Sequence, residues 1–286
     1  MREDEHGSLP VSAAWITAAL AGVLGLAIGS FLNVVVHRVP AGLSVIAPAS
    51  ACPRCDHPIR RRDNVPVLSW VLLRARCRDC AAPISVRYPV VEAATAVLFV
   101  LVALVAPQPL AAATATGALG RTVMLGALLY LMAVSVALSL IDLDTHRLPN
   151  AIVLPAAVVL LVLLTGVSAT SGDWGALLRG VIGSVALGGA YLVLALAVPG
   201  GMGLGDVKLA VVLGLVLAYL GWGPLAVGAF GAFVVGGTVA IALVVAGRAR
   251  MGSGVPFGPS MLVGAWIGIV SGAPLWAAYL GLLGLS

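Results

Sequence analysis

A chain of 286 residues that is 61% hydrophobic and only 9% charged, with a mean hydropathy of +1.11, lies far from soluble domains, of which about a quarter of residues are charged. Apolar runs of about 20 residues recur along it, more than one soluble core could take inside, so the composition predicts an all-α polytopic membrane protein. The formal net charge of +5 is concentrated between the runs, where it bears on topology and on anionic membrane lipid; nothing in the pattern supports a nucleic-acid partner.

The first residues, MREDEHGS, carry no basic leader, and the run after them is too long for a signal-peptide core. They precede a retained first span near Trp15 to Val36. The first division of the chain is therefore residues 1–48, a tail and one transmembrane helix.

Residues 49–88 form a polar loop that holds all four cysteines. Cys52-Pro53-Arg54-Cys55 and Cys77-Arg78-Asp79-Cys80 have 21 residues between them, one beyond the usual range, and suit tetrahedral Zn²⁺ held by four thiolates in a small knuckle-like unit. A redox pair and four unligated thiols are the competing readings. His57 is a possible substitute ligand, although four cysteines already complete the coordination. The arginines in and beside this loop would offset the charge of a four-thiolate site, meet anionic head groups, or serve only topology.

Residues 89–286 hold the remaining spans. These are expected near Pro89 to Ala106, Thr122 to Ile141, Ile152 to Val167, Leu177 to Val198, Leu209 to Leu220, Leu225 to Ala246 and Met261 to Leu285, giving about eight transmembrane helices in all. The sixth is short, and Pro224 with the glycines around Trp222 separates it from the seventh. With the N-terminus outside, 13 of the 16 Lys and Arg residues fall on the cytoplasmic side, and only Arg2, Arg121 and Arg179 lie outside. Trp15, Tyr130, Tyr191 and Trp222 read as interface anchors or packing.

Two acidic clusters interrupt the apolar pattern: Ile141-Asp142-Leu143-Asp144-Thr145-His146-Arg147 and Gly201-Met202-Gly203-Leu204-Gly205-Asp206-Val207-Lys208. Acids are costly at such places and mark candidate sites. Two spans separate Asp142 from Asp206, so both lie on the cytoplasmic face and can meet. A pair of carboxylates sharing a proton is the machinery of an aspartic peptidase, and Lys208 stands close enough in sequence to bias its charge. Helix-end ion pairs among Asp142, Asp144 and Arg147, with GMGLGD as a flexible turn, explain the same residues, as does the broken-helix acid site of a solute or proton-coupled transporter. The glycine spacing imitates a nucleotide or adenosyl-cofactor loop, but apolar spans flank it where such a loop needs a strand and a helix.

Taken in order, GSFLNVVVHRVP (Gly29 to Pro40), the four-cysteine loop, SVRYPVVE (Ser85 to Glu92), LIDLDTHRLPN (Leu140 to Asn150) and GMGLGDVKLA (Gly201 to Ala210) resemble the type IV prepilin leader peptidases, the bifunctional prepilin peptidase/N-methyltransferases. The resemblance implies a GxGD-type membrane aspartic endopeptidase with Asp142 and Asp206 as its catalytic pair and Asp144 as a neighbour. It implies as substrates the precursors of type IV pilins and pilin-like secretion subunits, cut after a glycine on the cytoplasmic side of the bacterial inner membrane. It also implies N-methylation of the new amino terminus with S-adenosylmethionine, for which no residue stands out. Glu92 matches a family position, with helix capping as the plainer account.

Overall fold

A computed structural model describes residues 11–106, 114–198, 202–247 and 256–284. Gly201 and the basic residues Arg2, Arg248 and Arg250 of the sequence argument lie outside the described residues. Among the described residues the helices are α1 (Val11–Arg38), α2 (Leu68–Leu72), α3 (Arg87–Val105), α4 (Ala115–Thr145), α5 (Asn150–Ser171), α6 (Trp174–Ala197), α7 (Leu204–Leu220), α8 (Trp222–Val245) and α9 (Gly258–Leu282). Seven of these are long and apolar enough to cross a membrane. The long helix left out of that count is α7, whose 17 residues rise about 25 Å. The protein is therefore an all-α, multi-pass membrane protein with a long helix at each expected span.

The chain falls into two compact units, Met1–Ala137 and Leu138–Ser286. In the first, α1 packs closely on α3 through glycines. A Cβ on Gly25 would lie 2.7 Å from Ala96 Cα, and one on Gly29 would lie 2.7 Å from Glu92 Cα. Asn33 Nδ2 donates to the Tyr88 carbonyl at 3.2 Å, tying together two of the sequence motifs. Arg38 closes the turn after α1 by donating to the carbonyls of Ser44 and Pro48.

Glu92, only 8% exposed, lies inside α3 and accepts the Val67 N–H at 2.7 Å. It caps α2 across the fold rather than the start of its own helix. Val67 has φ +60°, a region that β-branched residues avoid at a cost of about 1–3 kcal/mol, so the loop is held in a form it would otherwise leave. Glu92→Ala is expected to leave that amide unpaired at a cost of about 1–3 kcal/mol. Limited proteolysis of the purified protein should then show an increase of about tenfold in cutting between Val65 and Leu73.

In the second unit α7 is the central helix, packed by α5, α6, α8 and α9. Leu209, Ala210 and every residue from Val212 to Tyr219 are buried. That environment explains a run apolar on all sides, with no amphipathic stripe. α6 and α7 run antiparallel at backbone contact: a Cβ on Gly180 would meet Leu215 and Tyr219, one on Gly183 would meet Ala218 and Gly214, and one on Gly188 would meet Val211. Gly183→Leu is expected to force these helices apart and to destabilise the unit by about 1–3 kcal/mol, read as a lower unfolding midpoint in detergent. At the break between α7 and α8, Gly221 has φ +150°, which side-chain-bearing residues rarely adopt.

Candidate active site and metal cluster

The helix ends explain how the acids are presented. α4 runs past the expected boundary at Ile141, so Asp142 lies inside its last turn, 5% exposed, while Asp144 is exposed. The helix stops where His146 takes φ +54° and its N–H returns to the Asp142 carbonyl. α7 begins at Leu204, five residues earlier than the apolar run suggested, and this brings Asp206 into its first turn. The Asp206 Oδ2 accepts the Gly203 N–H at 3.0 Å while the Asp206 N–H donates to the Gly203 carbonyl at 3.0 Å. The GMGLGD segment is thus a helix start in its second half, and its acid is the cap.

Asp142 is held in a parallel way. Its Oδ2 accepts the N–H of Gly258, the first residue of α9, at 3.1 Å. A Cβ at position 258 would sit 2.7 Å from that oxygen, so only glycine lets the α9 backbone come this close. Leu148 fills the space between: a Cβ on Gly205 would lie 3.0 Å from Leu148 Cβ, and one on Gly258 would lie 3.3 Å from Leu148 Cδ2. The two carboxylates lie within electrostatic reach of each other. Each has one oxygen engaged by a glycine amide and a second with no hydrogen-bond partner among the described residues. Both face the positive end of a helix, α7 for Asp206 and α9 for Asp142.

Lys208 donates to Asn150 Oδ1 at 2.9 Å and, among the described residues, to neither acid. Asp142 forms no ion pair among the described residues, so its environment is not that of a helix-end salt bridge. Gly258 and Leu148 were not singled out from sequence. Pro259, at the start of α9, was the signal for a helix N-terminus there, but nothing in the sequence pointed that terminus at Asp142.

Tyr191 is not at an interface: it is 2% exposed, and its ring lies 5.7 Å from Phe233 and 6.4 Å from Phe257. Trp15 and Trp222 are exposed, as interface anchors would be.

In the first unit the Sγ atoms of Cys52, Cys55, Cys77 and Cys80 lie within 4.8 Å of one another, with Cys52 and Cys80 3.8 Å apart. Four sulfurs at a Zn–S length of about 2.3 Å stand about 3.8 Å apart, so the donor set fits a tetrahedral metal ion. Two equivalent knuckles build the cluster. Ala51 bridges Pro58 and Arg76 bridges Pro83. The amide of Cys52 donates to the His57 carbonyl, and that of Cys77 to the Ala82 carbonyl. Asp56 and Ala81, each following the second cysteine of its pair, take left-handed φ values of 55° and 57°. The sequence contains this duplication as two copies of CxxCxxPI, Cys52 to Ile59 and Cys77 to Ile84, a signal that the cysteine spacing alone did not use.

Arg78 pairs with Asp63 and Arg60 with Asp79, so the second knuckle is tied to the segment that follows the first. Arg78 holds the Asp63 carboxyl below the usual range. The backbone amides of Arg54 and Cys55 draw the Cys52 thiol down to about 7. Cys55, although the His57 amide draws it down, is pushed up to about 12 by burial and by the other thiols. Four thiols this close cannot all ionise without a cation to neutralise them. His57 is not part of the cluster; its Nδ1 lies 3.1 Å from the Cys55 carbonyl.

Residues 128–241 match the family model described as the type IV leader peptidase family, and residues 23–106 match the bacterial peptidase A24 N-terminal domain. Prepilin leader peptidase/N-methyltransferase from Aeromonas hydrophila is 36% identical, with 93% of this chain and 94% of the relative covered. This chain belongs to the type IV leader peptidase family. Similarly named proteins of Stutzerimonas stutzeri and Pseudomonas putida are 35% and 38% identical over the same shares. No solved structure matches the chain. Within this leader peptidase, the family match covers both acids and stops short of Gly258, which holds one of them.

Proposed function

We propose that this protein is a membrane aspartic endopeptidase that removes the leader peptide of type IV prepilins and pilin-like subunits, cutting after a glycine at the cytoplasmic face of the bacterial inner membrane, and that it then N-methylates the new amino terminus. The observation that carries the peptidase reading is the matched pair of carboxylates, each steadied through one oxygen by a glycine amide and with its other oxygen open, in electrostatic reach of one another. The names of the relatives support both activities.

The chemistry asked of Asp142 and Asp206 is a water attack on the scissile carbonyl carbon. One ionised acid takes a proton from the water while the other, protonated, gives its proton to the carbonyl oxygen, forming a gem-diol. The C–N bond then breaks as the first acid returns its proton to the leaving amine and the second recovers one from a diol hydroxyl. Glycine amides on the far oxygens keep both carboxylates aimed without taking part. A transporter reading gains nothing from this geometry, because Lys208 is committed to Asn150 and, among the described residues, neither acid forms an ion pair.

S-adenosylmethionine is the donor we assign to the methyl transfer, supplying an electrophilic methyl for the new amine. Gly203 and Gly205 are not its cradle: the first gives its amide to Asp206 and the second packs on Leu148. Zn²⁺ is the ion we assign to Cys52, Cys55, Cys77 and Cys80. Four thiolates close its coordination, so its role is to fold the loop. We also assign the loop and the acids to the cytoplasmic side, on the distribution of basic residues. The 49–88 loop and the 89–286 membrane region are proposed as separate functional parts.

The test is cleavage of a full-length pilin-type precursor by the purified protein in lipid, with mass spectrometry of the product. Cleavage after the leader glycine is the expected result, with a further gain of about 14 Da per methyl added when S-adenosylmethionine is supplied. Intact precursor across several candidate substrates would overturn the reading.

A further inference from the structure

Tyr191 carries a polar group that neither the fold nor the two-acid mechanism uses. It is 2% exposed, and its hydroxyl has no hydrogen-bond partner among the described residues. A buried phenol usually finds a partner, because leaving one unpaired is costly. Its position is fixed by the register of α6 against α7. Gly180 faces Leu215 and Tyr219, Gly183 faces Gly214 and Ala218, and Gly188 faces Val211, while Ser184 Oγ donates to the Val211 carbonyl at 2.8 Å. Each step along α6 thus moves one step back along α7, and the next turn of α6 brings Tyr191 level with the first turn of α7, where Asp206 sits. Tyr191 lies within electrostatic reach of that carboxylate.

On its other side the tyrosine ring packs with Phe233 and Phe257, which are themselves 5.4 Å apart. Phe257 immediately precedes Gly258, whose amide holds Asp142. Tyr191 therefore lies within electrostatic reach of Asp206 and packs on Phe257, the residue before the glycine that holds Asp142, with an unused donor.

We propose that Tyr191 is a positioning residue of the acid pair, whose hydroxyl donates to the open Oδ1 of Asp206 when substrate closes the site and so makes Asp206 the water-activating base. The proposal rests on the peptidase reading above. A phenol donor favours the ionised form of the carboxylate it meets, and it also distinguishes two acids whose glycine contacts are otherwise alike. Few other charges can compete. α5 and α8 carry no titratable side chain, and α9 carries only the exposed Tyr279 near its far end. Arg179 of α6 is occupied at the opposite end of α7, donating to the Ala218 and Tyr219 carbonyls. The titratable and charged groups left around the pair are Asp144, His146 and Arg147 at and just beyond the end of α4, and Lys208 on α7.

The test is the pH profile of kcat and KM for prepilin cleavage by the full-length protein in lipid, comparing wild type, Tyr191→Phe and a protein with 3-fluorotyrosine at position 191. Phenylalanine keeps the ring packing and removes the donor. The expected result is a fall in kcat of about 10- to 100-fold with KM little changed, and an acidic limb displaced upward by about one to two pH units. Fluorotyrosine, a stronger donor, should displace the limb downward. An unchanged limb in both variants with an active wild type would sink the tyrosine proposal alone. A wild type that cleaves nothing would overturn the peptidase reading and this proposal with it. Where Tyr191→Phe fails to accumulate, the fluorotyrosine protein decides: a stationary limb overturns the assignment.

Discussion

Asp142→Asn and Asp206→Asn are each expected to reduce prepilin cleavage by about 10³-fold or more, with the protein still folded and inserted. The amide oxygen of an asparagine can still accept the Gly258 N–H at position 142 and the Gly203 N–H at position 206, so the contacts that shape the site survive. What disappears is the ability to take up and return a proton. The double variant should be little worse than either single one, because the two acids work as a unit. Mass spectrometry of the precursor after long incubation gives the answer. Cleavage near the wild-type rate in both single variants would remove these residues from the mechanism.

The second large effect concerns the cysteine cluster. Cys52→Ser and Cys77→Ser are each expected to lower bound zinc from about one ion per chain to near zero and to open the loop to proteases. Structural zinc contributes about 10–16 kcal/mol to folding in zinc-finger peptides, far more than a loop of this size can recover from its own packing. The two Arg–Asp pairs that join the knuckles are too exposed to replace it. Elemental analysis of the purified protein, beside limited proteolysis of the same samples, measures both effects. A wild type that holds no zinc would refute the assignment of the metal.

The architecture was legible from the apolar runs because each span must hide its backbone from lipid and so has to be long and continuous. Its edges were not. The apolar run puts the start of the sixth span at Leu209, yet the carboxylate of Asp206, three residues after Gly203, supplies the cap that lets the helix begin at Leu204. The parity of the spans predicts that both acids lie on one face, and the two carboxylates lie within electrostatic reach of each other. Parity gives no hint that Gly258 meets Asp142, because the two stand 116 positions apart in the chain and the glycine lies in no charged or cysteine motif. For Tyr191 the sequence leaves interface anchor and packing open, because an aromatic residue in a span looks the same whether it faces head groups or a buried neighbour; the structure shows packing.

The shortness of α7 would set the depth of the proposed reaction. Because α5, α6, α8 and α9 wrap α7, its rise of about 25 Å need not match a hydrocarbon layer of about 30 Å, and the shortfall is taken up inside the protein rather than by lipid. The apolar end of α7 is sealed by Arg179, whose guanidinium is bound to its last carbonyls. The deficit then falls at the end that carries Asp206. On the proposed reading, hydrolytic water would reach the acids inside the protein below the level of the head groups, and a substrate would have to present its cut site at that depth.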